Sequence, residues 1–185
     1  MLSLSEVKVG AKVELDGAPC EVIWREHSKI GRAGAVLRTK IRDLRTGNIL
    51  SRTFQGNETL PEANISSIKA QYLYTAGGDY YFMDEENYDQ FSLSQKQLGN
   101  AVNFLVEGTR INIWVYQEIP INVDLPIKMD LKVEEAPPGI KGNTADGGTK
   151  QVKLETGYKL NVPLFIKKGD VIRVNTKEGT YVERA

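Results

Sequence analysis

Arg32 sits in the segment Ser28-Lys29-Ile30-Gly31-Arg32-Ala33-Gly34-Ala35, where Gly31, Ala33 and Gly34 strip the bulk from both of its sides. A guanidinium carried among such small residues suits contact with phosphates or bases in a narrow space, because its charge is permanent and its planar fork offers five donors. An ordinary polar hairpin tip would use the same residue types, so spacing alone leaves both readings open. The run that follows, Val36-Leu37-Arg38-Thr39-Lys40-Ile41-Arg42-Asp43-Leu44, reads as a strand. With side chains alternating between faces, Arg38, Lys40 and Arg42 share one face while Leu37 and Ile41 turn toward a core. Three aligned cations could track a phosphate backbone. A merely solvated face has the same pattern.

The other groups with chemical potential are poorer candidates. Tyr72, Tyr74, Tyr80, Tyr81, Phe82 and Tyr88 could stack bases, but they share a segment with Asp84, Glu85, Glu86 and Asp89, which would repel phosphate. Core and hairpin packing is the better expectation for them. The acidic residues lack calcium-loop spacing and a nearby histidine, so they read as a solvated loop. The glycine-rich tract 139–148 contains no phosphate-binding motif. His27 has no nucleophile motif to serve, and one histidine with one cysteine, Cys20, falls short of the ligands a His/Cys zinc site needs. No catalytic set, metal site or cofactor is expected, and the chain does not read as an enzyme.

The elements that must position these residues are strands. Apolar and polar residues alternate along most of the chain, clearly at 12–15, 111–116 and 171–174. A first strand ends near Trp24 and the next begins near Val36. Asp16-Gly17, Thr46-Gly47-Asn48, Gly77-Gly78-Asp79, Lys168-Gly169-Asp170 and Lys177-Glu178-Gly179 supply turn chemistry between strands. One short helix is expected at about 94–98, with Ser94 as cap, Gln97 as its reciprocal partner and Gly99 as the stop. A pattern of glycine, two residues, then alternating aliphatics occurs at Gly10, Gly108 and Gly169. One such echo per segment points to an all-β chain of three small barrels, spanning 1–64, 65–126 and 127–185.

Over 185 residues, 24 Lys+Arg balance 24 Asp+Glu. That neutrality hides a pattern: residues 1–64 carry a net +2, 65–126 a net −5, and 127–185 a net +3. Two basic ends around an acidic centre are compatible with RNA contact at the ends. There is no apolar run long enough to span a membrane and no basic leader with an apolar core, so the expectation is a cytoplasmic protein without membrane contact.

Across essentially its whole length the sequence resembles bacterial translation elongation factor P, a relative of archaeal and eukaryotic initiation factor 5A. The resemblance is carried by 27–35 with Arg38-Thr-Lys40, by Tyr72-Leu-Tyr74 and Tyr81-Phe-Met-Asp84, by Ala136-Pro-Pro-Gly-Ile-Lys-Gly142-Asn-Thr144, by Leu154-Glu-Thr-Gly157 and Val162-Pro163, and by Gly169 through Thr176 with Gly179-Thr-Tyr181. It implies an N-terminal SH3-like, KOW-type barrel followed by two OB-fold barrels in an elongated, L-shaped, tRNA-like arrangement. It implies a monomeric factor that binds the 70S ribosome between the P and E sites, touches both subunits and relieves stalling at consecutive prolines by positioning the P-site peptidyl-tRNA. Under this resemblance Lys29, Gly31, Arg32, Ala33 and Gly34 form the loop that reaches the acceptor end. Arg38, Lys40 and Arg42 neutralise phosphate, and Gly142, Asn143 and Thr144 reach the tRNA D-arm. Many members carry a modified lysine at the tip. Arginine stands here, which excludes lysine-specific chemistry and makes Arg32 a candidate site for a rhamnosyltransferase, although other members with arginine there work unmodified. Ile30 replaces a frequent proline and Asn143 a common aspartate. The rival reading is a general single-stranded RNA-binding OB-fold protein of the RNA-chaperone kind.

Overall fold

A computed structural model describes residues 1–29, 35–138 and 148–185. Strands dominate. The first group comprises β1 (Leu2–Ser3), β2 (Lys12–Leu15), β3 (Ala18–Lys29), β4 (Ala35–Asp43), β5 (Ile49–Gln55) and β6 (Thr59–Leu60). β2 to β5 form an antiparallel sheet in chain order, and β1 pairs with β6. Leu4, Val7, Val13, Val22, Leu37, Ile41 and Leu60 fill its core. Cys20 lies in the same core, 3% exposed, and burial, reinforced by Asp43, pushes its thiol up to about 11. Thiolate is the reactive form. Cys20 is therefore expected to resist a disulfide reagent such as DTNB in the folded protein and to react at once in denaturant, and equal rates in both states would contradict this burial.

The second group is β7 (Ile65–Ala76), β8 (Asp79–Asp84), β9 (Gln90–Ser94), helix α1 (Gln95–Leu98), a 3-10 helix (Gly99–Phe104), β10 (Arg110–Tyr116) and β11 (Ile119–Asp124). The strands are ordered β11-β10-β7-β8-β9 in a curled antiparallel sheet, a half-barrel. The expected helix is present with its reciprocal cap: the Ser94 side chain accepts from Gln97 N, the Gln97 side chain accepts from Ser94 N, and Gly99 turns the chain at φ 57°. Asn122 on β11 donates to Gln97 O at 2.9 Å. The helix thus bridges the two edge strands of the sheet.

The third group is β12 (Lys128–Glu135), β13 (Thr149–Leu154), β14 (Lys159–Pro163), β15 (Val171–Asn175) and β16 (Thr180–Arg184), ordered β14-β13-β12-β15-β16. Its core of Leu131, Val133, Leu154, Val162, Ile166, Ile172 and Val174 also contains Phe104. That residue arrives from the 3-10 helix of the preceding group, so a division of the chain near Pro126 separates Phe104 from the core it fills.

The recurring glycine pattern is one structural device used three times. Gly10, Gly108 and Gly169 have φ of 90°, 82° and 89°. Each is the third residue of a turn closed by Ala11 N to Lys8 O, Thr109 N to Val106 O and Asp170 N to Lys167 O. Only a positive φ fits that position, as in a type II turn. Each glycine N–H then donates to a neighbouring long strand, at Val22 O, Tyr72 O and Val133 O, within 2.7 to 2.8 Å. Immediately beyond each acceptor the long strand carries a bulge, at Val22/Trp24, Tyr72/Tyr74 and Val133/Glu135. Bulges bend and twist a strand, which lets one strand serve two flanks of a small curled sheet.

Candidate nucleic-acid interface

The sheet that carries Arg38, Lys40 and Arg42 is built around β4. Leu37, Thr39 and Ile41 are 0%, 2% and 1% exposed, while Arg38 and Lys40 face solvent and Arg42 is half-buried on the same side. Thr39 satisfies its buried hydroxyl by donating to Arg52 O at 3.1 Å. The alternation expected from the sequence therefore holds for β4.

β3 continues five residues beyond Trp24, to Lys29, rather than ending near it. Beyond Val22 it has outrun β2 and pairs only with β4, in the register Trp24↔Lys40, Glu26↔Arg38, Ser28↔Val36 and Lys29↔Ala35. Trp24 to His27 are all exposed, so this edge segment needs no apolar residue and its strand signal vanishes from the sequence. β5 supports β4 out to Val36↔Gln55. The connection between the paired ends Lys29 and Ala35 is thus residues 30–34 alone. Gly31, Arg32, Ala33 and Gly34 lie outside the described residues, as does the side chain of Lys29. Gly142, Asn143 and Thr144 also lie outside them.

Pairing with β3 gives each cation of the stripe a neighbour that spacing along β4 could not reveal. Arg38 Nη1 lies 3.6 Å from Glu26 Oε2. Lys40 Nζ stands 5.9 Å from the centre of the Trp24 ring. Arg42 faces Glu21 in register, and Glu21 is already held by Lys12 at 2.8 Å. Exposed pairs such as Arg38–Glu26 are worth about 0–1 kcal/mol, so phosphate could displace the carboxylate at small cost. Trp24, 43% exposed beside Lys40, adds a flat surface on which a base could stack. Its polar neighbours Arg25 and Glu26 hint at its exposure, but only the register with β4 brings it beside Lys40.

Most of the remaining residues of interest have structural roles. Tyr72 and Phe82 are core, with Tyr80 packed against them. Tyr74 and Tyr81 stack across the β7–β8 hairpin with ring centres 4.9 Å apart. Tyr88 departs from the packing expectation, being 71% exposed at φ 64°. Asp84 is nearly buried and accepts from Glu86 N at 2.7 Å, and Glu85 pairs with Arg110 at 2.7 Å. Among the described residues no His, Cys, Asp and Glu group is arranged to hold a metal ion, and no helix is long and apolar enough to cross a membrane.

Three family domains tile the chain: the elongation factor P KOW-like domain matches residues 3–60, the elongation factor P OB domain 65–123, and the elongation factor P C-terminal domain 129–184. Elongation factor P of Desulforudis audaxviator is 47% identical over 185 residues, covering all of both chains. The chain belongs to the elongation factor P family. Elongation factor P of a Synechococcus species is 45% identical over 184 residues, again with full coverage of both chains. Among solved structures, initiation factor 5A from Methanococcus jannaschii aligns with a TM-score of 0.46 at 23% identity, covering 66% of this chain and 94% of that one. Membership of the elongation factor P family makes this chain a translation factor, and its sheets are the KOW-like and OB units of that family.

Proposed function

We propose that this elongation factor P family member binds the ribosome between the P and E sites, contacts both subunits, and speeds peptide-bond formation at consecutive prolines by positioning the P-site peptidyl-tRNA. The observation that carries this reading is the β3–β4 hairpin. β4 is braced by β3 and β5 almost to its end, and five residues centred on Arg32 are all that connect β3 to β4. A short connection on a braced base loses little entropy on contact, which suits a group whose work is orientation rather than bond chemistry. Arg32 then meets the acceptor end of the tRNA, with Lys29 steadying the loop and Gly31, Ala33 and Gly34 giving it clearance. Arg38, Lys40 and Arg42 lie along phosphate, and Gly142, Asn143 and Thr144 meet the D-arm. Chain units of 1–64, 65–126 and 127–185, a monomeric state, a cytoplasmic location and an arginine-modifying partner such as a rhamnosyltransferase acting on Arg32 belong to the same proposal. The ribosome supplies the chemistry.

The test is reconstituted translation of two short messages, one encoding three consecutive prolines and one encoding none. The full chain is expected to accelerate the proline message by about tenfold or more, the scale of orientation effects, and to leave the other unchanged. Equal rates with and without the protein would overturn the reading. Tight binding to free single-stranded RNA with a steep salt slope, and no effect on ribosomes, would favour a general RNA-binding module instead.

A further inference from the structure

β4 carries the tip connection at one end and runs into the contact between the first and second sheets at the other. Directly after β4, Leu44 is fully buried with Tyr116 and Ile121 of the second sheet, and Ala63, Ile65 and Trp114 pack around them. Three residues further on, Gly47 has φ 71°, and a Cβ there would run into the Lys96 carbonyl of α1. Next to it, Lys96 Nζ donates to Asn48 Oδ1 at 2.6 Å. Tyr116 OH donates to Glu14 Oε2 at 2.9 Å, and Lys12 Nζ stands 4.1 Å from the centre of the Trp114 ring. The Glu14 carboxylate holds the Tyr116 phenol above its ordinary value, so the donor stays protonated.

We propose that Gly47, Glu14 and Tyr116 are positioning residues that fix the angle at which the tip loop is presented; this rests on the reading of that loop as the group that orients the peptidyl-tRNA. The lever explains why a small joint matters. β4 has nine residues, which at about 3.3 Å per residue is a lever of about 30 Å. A turn of about 5° at the joint moves the tip by about 2–3 Å over such a length. Misplacement by about 1 Å can cost about a hundredfold in a reaction governed by orientation. Backbone contact at Gly47 resists that rotation better than side chains alone, because packed backbone cannot re-rotamer to absorb it.

The experiment compares full-length wild type with Gly47→Ala, Glu14→Ala and Glu14→Gln on the triple-proline message, titrating each factor. Gly47→Ala places a methyl against the Lys96 carbonyl. Glu14→Ala removes the acceptor of the Tyr116 hydroxyl, whereas Glu14→Gln keeps a carbonyl oxygen for it. The maximal rate is expected to fall about tenfold or more in Gly47→Ala and severalfold in Glu14→Ala, with Glu14→Gln close to wild type. Half-saturating concentrations should stay within about twofold throughout, because the ribosome-docking surface is untouched. A maximal rate equal to wild type in either alanine variant that folds would overturn the assignment. So would a loss confined to the half-saturating concentration, or a Glu14→Gln variant as impaired as Glu14→Ala. If wild type itself gives no stimulation, the functional reading fails and not the joint.

Discussion

Arg32→Ala is expected to leave the unfolding transition of the protein where it is and to remove most of its stimulation of proline-dependent synthesis. The first half follows from the core of the first sheet: Leu4, Val7, Val13, Val22, Leu37, Ile41 and Leu60 are contributed from outside residues 30–34. Surface substitutions away from packing and caps change stability by about 0.5 kcal/mol or less. The second half follows from chemistry. A guanidinium gives charge-assisted hydrogen bonds, about twice as strong as neutral ones, and alanine gives none. A loss of about tenfold to a hundredfold in maximal rate is expected where orientation governs the step. Arg32→Lys keeps the charge but loses the planar fork and any arginine-specific modification, so it should fall between the two. Maximal rates in reconstituted translation, read beside a thermal melt of each variant, decide the matter. A fully active Arg32→Ala protein would remove the loop from the mechanism.

What was legible in the sequence was local and steric. Ser94, Gln97 and Gly99 announced a capped helix because each satisfies a specific backbone group or conformation, and each does so in the fold. Gly10, Gly108 and Gly169 recur because one turn demands a positive φ, so a threefold echo in letters is a threefold echo in geometry. Alternation placed Arg38, Lys40 and Arg42 on one face because the opposite face is core. Where that condition lapses, the signal lapses too. Arg25 to Ser28 extend β3 along an edge with no core beneath it, and nothing in their apolar pattern says so. The partners of the stripe, Glu26 and Trp24, were hidden for the same reason, since register across a hairpin depends on where its strands end. The assignment of the tip loop came from family resemblance rather than spacing, because small residues around a lone arginine also make a common turn. Charge and proline content divided the chain near Pro126, but neither can report that Phe104, some twenty residues earlier, belongs to the core beyond that line.

Phe104→Ala is therefore expected to be the most damaging single substitution for the third sheet, although it lies outside residues 127–185. Phe104 is 2% exposed. It meets Tyr158 edge-on with ring centres 5.3 Å apart, a geometry that adds to simple burial. Tyr158 OH in turn donates to Gly179 O at 3.3 Å, so the ring that Phe104 supports also ties the β13–β14 turn to the β15–β16 turn. Truncating a buried phenylalanine costs about 3–5 kcal/mol, and a unit of about 60 residues has little stability in reserve. Hydrogen exchange on the full chain should show the amides of β12 to β16 losing protection together, while those of β3 and β4 keep theirs. Phe104→Leu, which retains most of the apolar volume, should lose much less. Leu125 packs against both the second and the third core, and Thr176 Oγ1 donates to Pro126 O at 2.7 Å, so the connection between the sheets is itself packed and bonded. A third sheet freed from Phe104 would keep that tether but lose its core. Translation should then report a raised half-saturating concentration with a preserved maximal rate, the reverse of the outcome at the Gly47 joint. Unchanged protection in Phe104→Ala would show that the third sheet closes its core without the ring.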